Sequence, residues 1–220
     1  MKHQAWIYAL VSVTVLVGFQ NCGNNANVDR PAPAVEKFEG EAKAIVGDWA
    51  QACEKQTAKD GTKYSTRLKL KIQSDGQFAL ETATFADEAC GTHSMSLSFA
   101  GNIEALPGDL LEGSMDSLLL SHGNATLVSQ YNKGNVCGRN DWQLGVAKSL
   151  MGLNCVDVTY SETIGGVTEE VKIYVAGLAS TVKQFPLAID RTPFSLDGDQ
   201  LTLDGFTMNG KALTTPFLRQ

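Results

Sequence analysis

Apolar and polar residues alternate in short runs along most of this chain. Leu68, Leu70 and Ile72 alternate with Lys69, Lys71 and Gln73, the period-two pattern of a strand with one buried face. An Asp75-Gly76 turn follows, after which Phe78 and Leu80 alternate with Gln77, Ala79 and Glu81. Met95, Leu97 and Phe99 are interleaved with Ser94, Ser96 and Ser98. Val156, Val158 and Tyr160 lead into Gly165-Gly166, beyond which Val171, Ile173 and Val175 alternate again. Further turn dipeptides stand at Gly123-Asn124, Asp197-Gly198 and Asn209-Gly210. Strands joined in this way form an antiparallel meander. About eight to ten of them must bury one face, so the pattern predicts an all-β domain closed as a barrel, with a β-sandwich as the alternative.

One stretch has another period. Trp142, Val146 and Leu150 recur every four residues after Asn140 and Asp141, whose side chains suit a helix cap. This predicts one short helix near residues 140–151, lying across an open end of the barrel or against its side. Gly138, Gly145 and Gly152 oppose it, and the competing expectation is an irregular loop stapled by a disulfide.

The N-terminus belongs to a different class of segment. Lys2 and His3 precede an apolar run of about fifteen residues, Ala5 to Phe19. A membrane span needs about 20, so this run has the length of a signal-peptide core. It ends in Gly18-Phe19-Gln20-Asn21-Cys22-Gly23. The Phe-Gln-Asn-Cys string resembles the leaders of lipoproteins from some predatory Gram-negative bacteria, with Phe19 and Asn21 where Leu and Gly or Ala are usual. The resemblance implies a signal peptide over 1–21, an acylated Cys22 and attachment to a membrane of the cell envelope. Gly23 in place of Asp after the cysteine implies, by the sorting rule of such lipoproteins, the outer membrane. Cleavage by ordinary signal peptidase, leaving Cys22 as a thiol, is the alternative. Residues 22–40 contain Asn24, Asn25, Asn27, Pro31 and Pro33 without apolar periodicity, which reads as a flexible tether. The remainder, 41–220, is one domain by length.

Cysteine number fits the anchor. The chain has five cysteines, and assigning Cys22 to a lipid leaves Cys53, Cys90, Cys137 and Cys155. Four cysteines allow three pairings. Cys53–Cys90 and Cys137–Cys155 are favoured because each pair lies within one half of the domain and flanks strands expected to be adjacent. Each bridge is then worth about 3–4 kcal/mol by chain-entropy reasoning. No two cysteines are spaced for zinc, and only His93 lies near one, so no metal site is expected. The net charge is −6, and removing Lys2 with the leader leaves 17 basic against 24 acidic side chains, or −7. Without clustered Lys and Arg the chain is not expected to bind nucleic acid or anionic headgroups.

Gly47-Asp48-Trp49 resembles the Gly-x-Trp signature at the first strand of lipocalins. That resemblance implies a tryptophan across the closed end of a barrel with a C-terminal arginine stacked on it, here Arg191 or Arg219. The stretch Gly47-Asp48-Trp49, Cys53-Glu54, Arg67, Phe78, Phe85-Ala86-Asp87 and Cys90 is also similar to a cysteine-bridged lipocalin-like module of extracellular proteins, over about 50 residues. There a Trp-x-x-x-Cys strand is tied to an Asp-x-x-Cys turn.

Catalytic chemistry is hard to find. No Gly-x-Ser-x-Gly occurs, His93 and His122 are expected in turns, and the glycines mark turns rather than a phosphate loop. Asp197, Asp199 and Asp204 lack the spacing of a calcium loop and read as hairpin carboxylates. The chain is therefore not expected to be an enzyme or to need a cofactor. A binding domain for a small apolar ligand is expected, with Trp49, Phe78, Leu80, Leu97 and Phe99 as wall candidates. The alternative is a protein-interaction or inhibitor module of the envelope, its barrel filled by its own side chains and its loops braced by disulfides.

Overall fold

The computed structural model describes residues 37–220 except 59, 60, 165, 176, 177, 179–181, 184, 209 and 210. The leader, Cys22, most of the tether, Gly165 and the Asn209-Gly210 turn lie outside the described residues. The chain enters through a short 3-10 turn, Gly40–Ile45. Six strands follow: β1 (Gly47–Ala50), β2 (Glu54–Thr57), β3 (Lys63–Ile72), β4 (Gln77–Phe85), β5 (His93–Leu106) and β6 (Leu110–His122). A helix, α1 (Ala125–Lys133), and a two-residue strand, β7 (Lys148–Ser149), come next. The remaining strands are β8 (Val158–Ile164), β9 (Val167–Ile173), β10 (Leu187–Asp197), β11 (Gln200–Leu203), β12 (Thr207–Met208), β13 (Lys211–Ala212) and β14 (Phe217–Arg219).

Strands β3, β4, β5, β6, β10, β11, β14 and β1 are hydrogen-bonded in that order, and β1 pairs back onto β3. This closes an eight-stranded antiparallel barrel of lipocalin-like form. β2 continues the line of β1 along β3, while β8–β9 and β12–β13 are separate hairpins.

Register explains which residues turn inward. Trp49 lies opposite Leu70, Leu70 opposite Leu80, Leu80 opposite Phe99 and Phe99 opposite Leu118. Because side chains alternate across a strand, this row and its neighbours at two-residue steps share the interior. The alternating Lys69 and Lys71 therefore fall outside. A bulge between Ala100 and Gly101 lets β5 and β6 bend. The strands approach so closely there that a Cβ on Gly101 would lie 1.9 Å from the Ser114 carbonyl oxygen.

Two expectations need correction. The helix lies at α1, not near 140–151. Asn124 caps it, its side chain accepting from the Thr126 and Leu127 amides at 2.8 and 3.3 Å. The Gly123-Asn124 pair thus starts a helix instead of joining two strands. Residues 140–151 stay irregular because their backbone is spent on the upper part of β6. Leu144 bridges His122, β7 pairs Leu119 and Leu120, and the Leu150 amide donates to the Leu118 carbonyl at 2.9 Å. Gly145 and Gly152 take positive φ values of 71° and 72°. The domain boundary expected at residue 41 also falls earlier. Phe38 is 1% exposed within the core, and the Lys37 amide donates to the Ser74 carbonyl, so the domain extends back at least to residue 37.

Candidate functional site

The barrel has a closed end where the chain enters. Trp49 is buried across it, and its Nε1–H donates to the Ile45 carbonyl at 2.8 Å, tying the 3-10 turn to the first strand. Arg219, not Arg191, stacks on Trp49, with its guanidinium carbon 4.2 Å from the ring centroid. The same guanidinium donates to the Val46 carbonyl at 3.3 Å and to the Ala44 carbonyl. Gly47 is required beside it, since at φ +148° an added Cβ would stand 2.9 Å from Arg219 Nη1. Arg191 sits instead at an irregularity of β10, at φ +37°.

Among the described residues, the interior between the ends is occupied by side chains. Trp49, Phe78, Leu80, Leu97 and Phe99, expected to line a ligand cavity, are all buried in one core cluster. Phe185 stacks on Phe99 at 5.7 Å between centroids. Phe78 and Leu80, with Leu70, Ile103, Leu111 and Ile189 among others, border an apolar void of about 20 Å³. That is room for about one water-sized sphere, far below the 300–1,000 Å³ typical of small-molecule sites.

At the opposite end two disulfides brace the loops. Cys53–Cys90 joins the start of β2 to the β4–β5 turn with Cα atoms 6.0 Å apart, and Cys137–Cys155 closes the excursion after α1 at 4.1 Å. These are the favoured pairings. The first turn is organised by Asp87, whose carboxylate accepts from the amides of Ala89 (2.8 Å), Gly91 (3.1 Å) and Thr92. Those bonds, that from Gly91 foremost, hold its pKa down at about 2. Ser65 secures the same turn, its Oγ donating to the Asp87 carbonyl and accepting from the Cys90 amide.

The excursion forms a cap. Trp142 is locked onto α1 by a two-way amide contact: its N–H donates to Asn132 Oδ1 (2.7 Å) and its carbonyl accepts from Asn132 Nδ2 (3.0 Å). Its ring meets Tyr131 edge-on at 5.8 Å and His122 at 5.2 Å. His122 and Tyr131 are 0% exposed, 4.2 Å apart by centroids, and neither imidazole nitrogen nor the phenol has a hydrogen-bond partner. Burial lowers the His122 pKa to about 4 and raises that of Tyr131. His122 was expected in a turn. Yet Leu118, Leu120 and His122 continue one alternation, a signal that places it inside.

His93 likewise lies on β5 and not in a turn. Its Nε2 is 2.6 Å from Ser96 Oγ, and its Nδ1 lies against Gly123. Burial lowers the His93 pKa. Glu81, buried on the outer wall, has its pKa raised by burial against the opposing pull of Lys69 at 3.9 Å. Asp199 pairs with Arg219 at 3.4 Å, and no three His, Cys, Asp or Glu side chains converge on a metal position among the described residues. The chain matches no protein-family model and no curated protein.

Proposed function

We propose that this chain is a lipid-anchored binding module of the bacterial envelope that recognises a partner through its disulfide-braced end rather than through a cavity. The observation that carries this reading is the occupied interior. Among the described residues, Phe78 and Leu80 pack around a void of about 20 Å³, and Trp49, Leu97 and Phe99 are buried in the same core cluster. A core filled in this way rewards rigidity, and a rigid barrel is a platform for loops.

The placement of the two ends supports it. Lys37, where the chain comes in, is bonded to the β3–β4 turn at the Trp49 end. Both disulfides lie at the other end. With Cys22 acylated, residues 23–36 would join the membrane to the Trp49 end. The braced loops would then face away from the bilayer, where an envelope protein can reach them. A chain of net charge −7 without its leader suits a partner with a cationic surface, though charge acts mainly on encounter and solubility.

The test is native mass spectrometry of the purified chain before and after incubation with lipid extracts. The apo mass is expected throughout. A stoichiometric small-molecule adduct would overturn the filled-barrel reading in favour of an apolar-ligand carrier. The anchor is tested separately with a palmitate analogue, by comparing the parent with Cys22→Ser. Equal labelling of the two would exclude it.

A further inference from the structure

We propose that His122 is an acid-operated latch: a proton taken up on its ring releases the cap, residues 124–157, from the barrel end. His122 is the last residue of β6, and the cap begins two residues later at Asn124. The cap closes back on the same ring. Tyr131 of α1 lies edge-on to it at 4.2 Å, and Trp142 lies at 5.2 Å. The His122 backbone joins in, its carbonyl accepting from the Gly145 amide at 2.8 Å. One imidazole therefore forms the floor on which the cap is seated.

That seat suits a neutral ring and not a cation. Both ring nitrogens are buried and unpartnered, as is the Tyr131 hydroxyl. A protonated ring would bring two donors and a full charge into a site where neither donor has an acceptor. The ionisable groups among the described residues offer no compensation. On β5 the relevant group is His93, a second imidazole that opposes a charge on His122. On α1 they are Tyr131 and Lys133, the latter bound to Glu162 of β8. On the cap, Asp141 is held between Arg139 (2.9 Å) and Lys148 (2.8 Å), and the Asp157 carboxylate accepts from the Val175 amide. Tyr160 of β8 has its own hydroxyl buried without a partner.

Opening lets the ring reach water and an ordinary pKa, so acid shifts the equilibrium toward the open cap. The sign follows from the depressed value. The closed form is favoured fully above the exposed pKa of 6.5, and the advantage is lost as pH falls toward about 4. Between pH 8 and pH 5 the open fraction should rise about 30-fold.

The Cys137–Cys155 bridge reports opening, since both half-cystines are buried in the cap, whereas Cys53 and Cys90 are half-buried outside it. The full chain would be treated with tris(2-carboxyethyl)phosphine at pH 8 and pH 5, and the reduction rate of each bridge read by alkylation and mass spectrometry. The rate for Cys137–Cys155, relative to Cys53–Cys90 in the same tube, should rise about 30-fold on acidification if reduction goes through the open form. His122→Phe, which keeps an aromatic ring without a proton site, should abolish the rise, and His93→Gln should preserve it. An unchanged ratio in the parent chain overturns the latch, whatever the variants do. So does a rise that survives in His122→Phe; should that variant misfold, His122→Gln takes its place. Loss of the rise in His93→Gln would overturn it too, because the proton would then act at the wrong imidazole.

Discussion

Replacing Arg219 with alanine should destabilise the barrel by about 3 kcal/mol. The stack on Trp49 contributes about 1 kcal/mol at a partly exposed site. The bonds to the Ala44 and Val46 carbonyls add about 1 kcal/mol each once access of water to those oxygens is allowed for. The Asp199 contact adds nothing measurable, because its side chains are 35% and 83% exposed. Urea unfolding should show the midpoint falling by about 1.5 M with an unchanged slope, taking roughly 2 kcal/mol/M for a domain of this size. Arg219→Lys should recover only about 1 kcal/mol, since an ammonium keeps the charge but cannot stack and bridge two carbonyls at once. Gly47→Ala gives an independent check through geometry. Its Cβ would press on Arg219 Nη1, so part of its cost should vanish when the arginine is already gone, a coupling of about 1 kcal/mol. Arg219→Ala within about 0.5 kcal/mol of the parent, or Arg219→Lys equal to the parent, would refute the reasoning.

Two further outcomes follow from the braced end. Removing Cys53–Cys90 as a double serine variant should cost about 4 kcal/mol and removing Cys137–Cys155 about 3, from loop separations of 37 and 18 residues; calorimetry of the two variants would contradict this if the order were reversed. The Asp87 carboxyl should titrate near 2 by carbon NMR, and its hold on the Cys90 turn should persist above the ordinary value of 3.8 and be lost as pH falls through about 2; a midpoint at or above 3.8 would show that the three amides are not bound in solution.

The barrel was legible because strand patterning is local. Leu68, Leu70 and Ile72, then Phe78 and Leu80, then Met95, Leu97 and Phe99 each carry their inward face in a period of two, and all three runs lie in β3, β4 and β5. The disulfide partners were legible for a related reason, since each pair flanks neighbouring elements. What misled was the helix. Trp142, Val146 and Leu150 do recur at helical spacing, but β6 offers unpaired backbone where β10 starts only at Leu187, and the segment fills that place. A tertiary vacancy outweighs a weak local period, particularly one interrupted by Gly145. The real helix carries its signal in Asn124, a good cap, with Leu127, Val128 and Tyr131 on one face.

The site was less legible because a cavity is a difference between two large volumes. Trp49, Phe78, Leu80, Leu97 and Phe99 point inward, as their spacing requires, but inward-facing residues line a hollow barrel and fill a solid one with the same pattern. What decides is the shape of the opposing residues, and those come from distant strands: Leu111 from β6, Ile189 from β10, Leu203 from β11. No window of sequence holds them together. The same limit hid the cap. His122 is apolar in position and polar in chemistry, and its meaning depends on Tyr131 and Trp142, which reach it only after α1 and the stapled excursion fold back. A buried imidazole of this kind stands out only once its neighbours are known to offer it no hydrogen bond. Its missing partners, more than its place in the alternation, make it the residue most worth titrating.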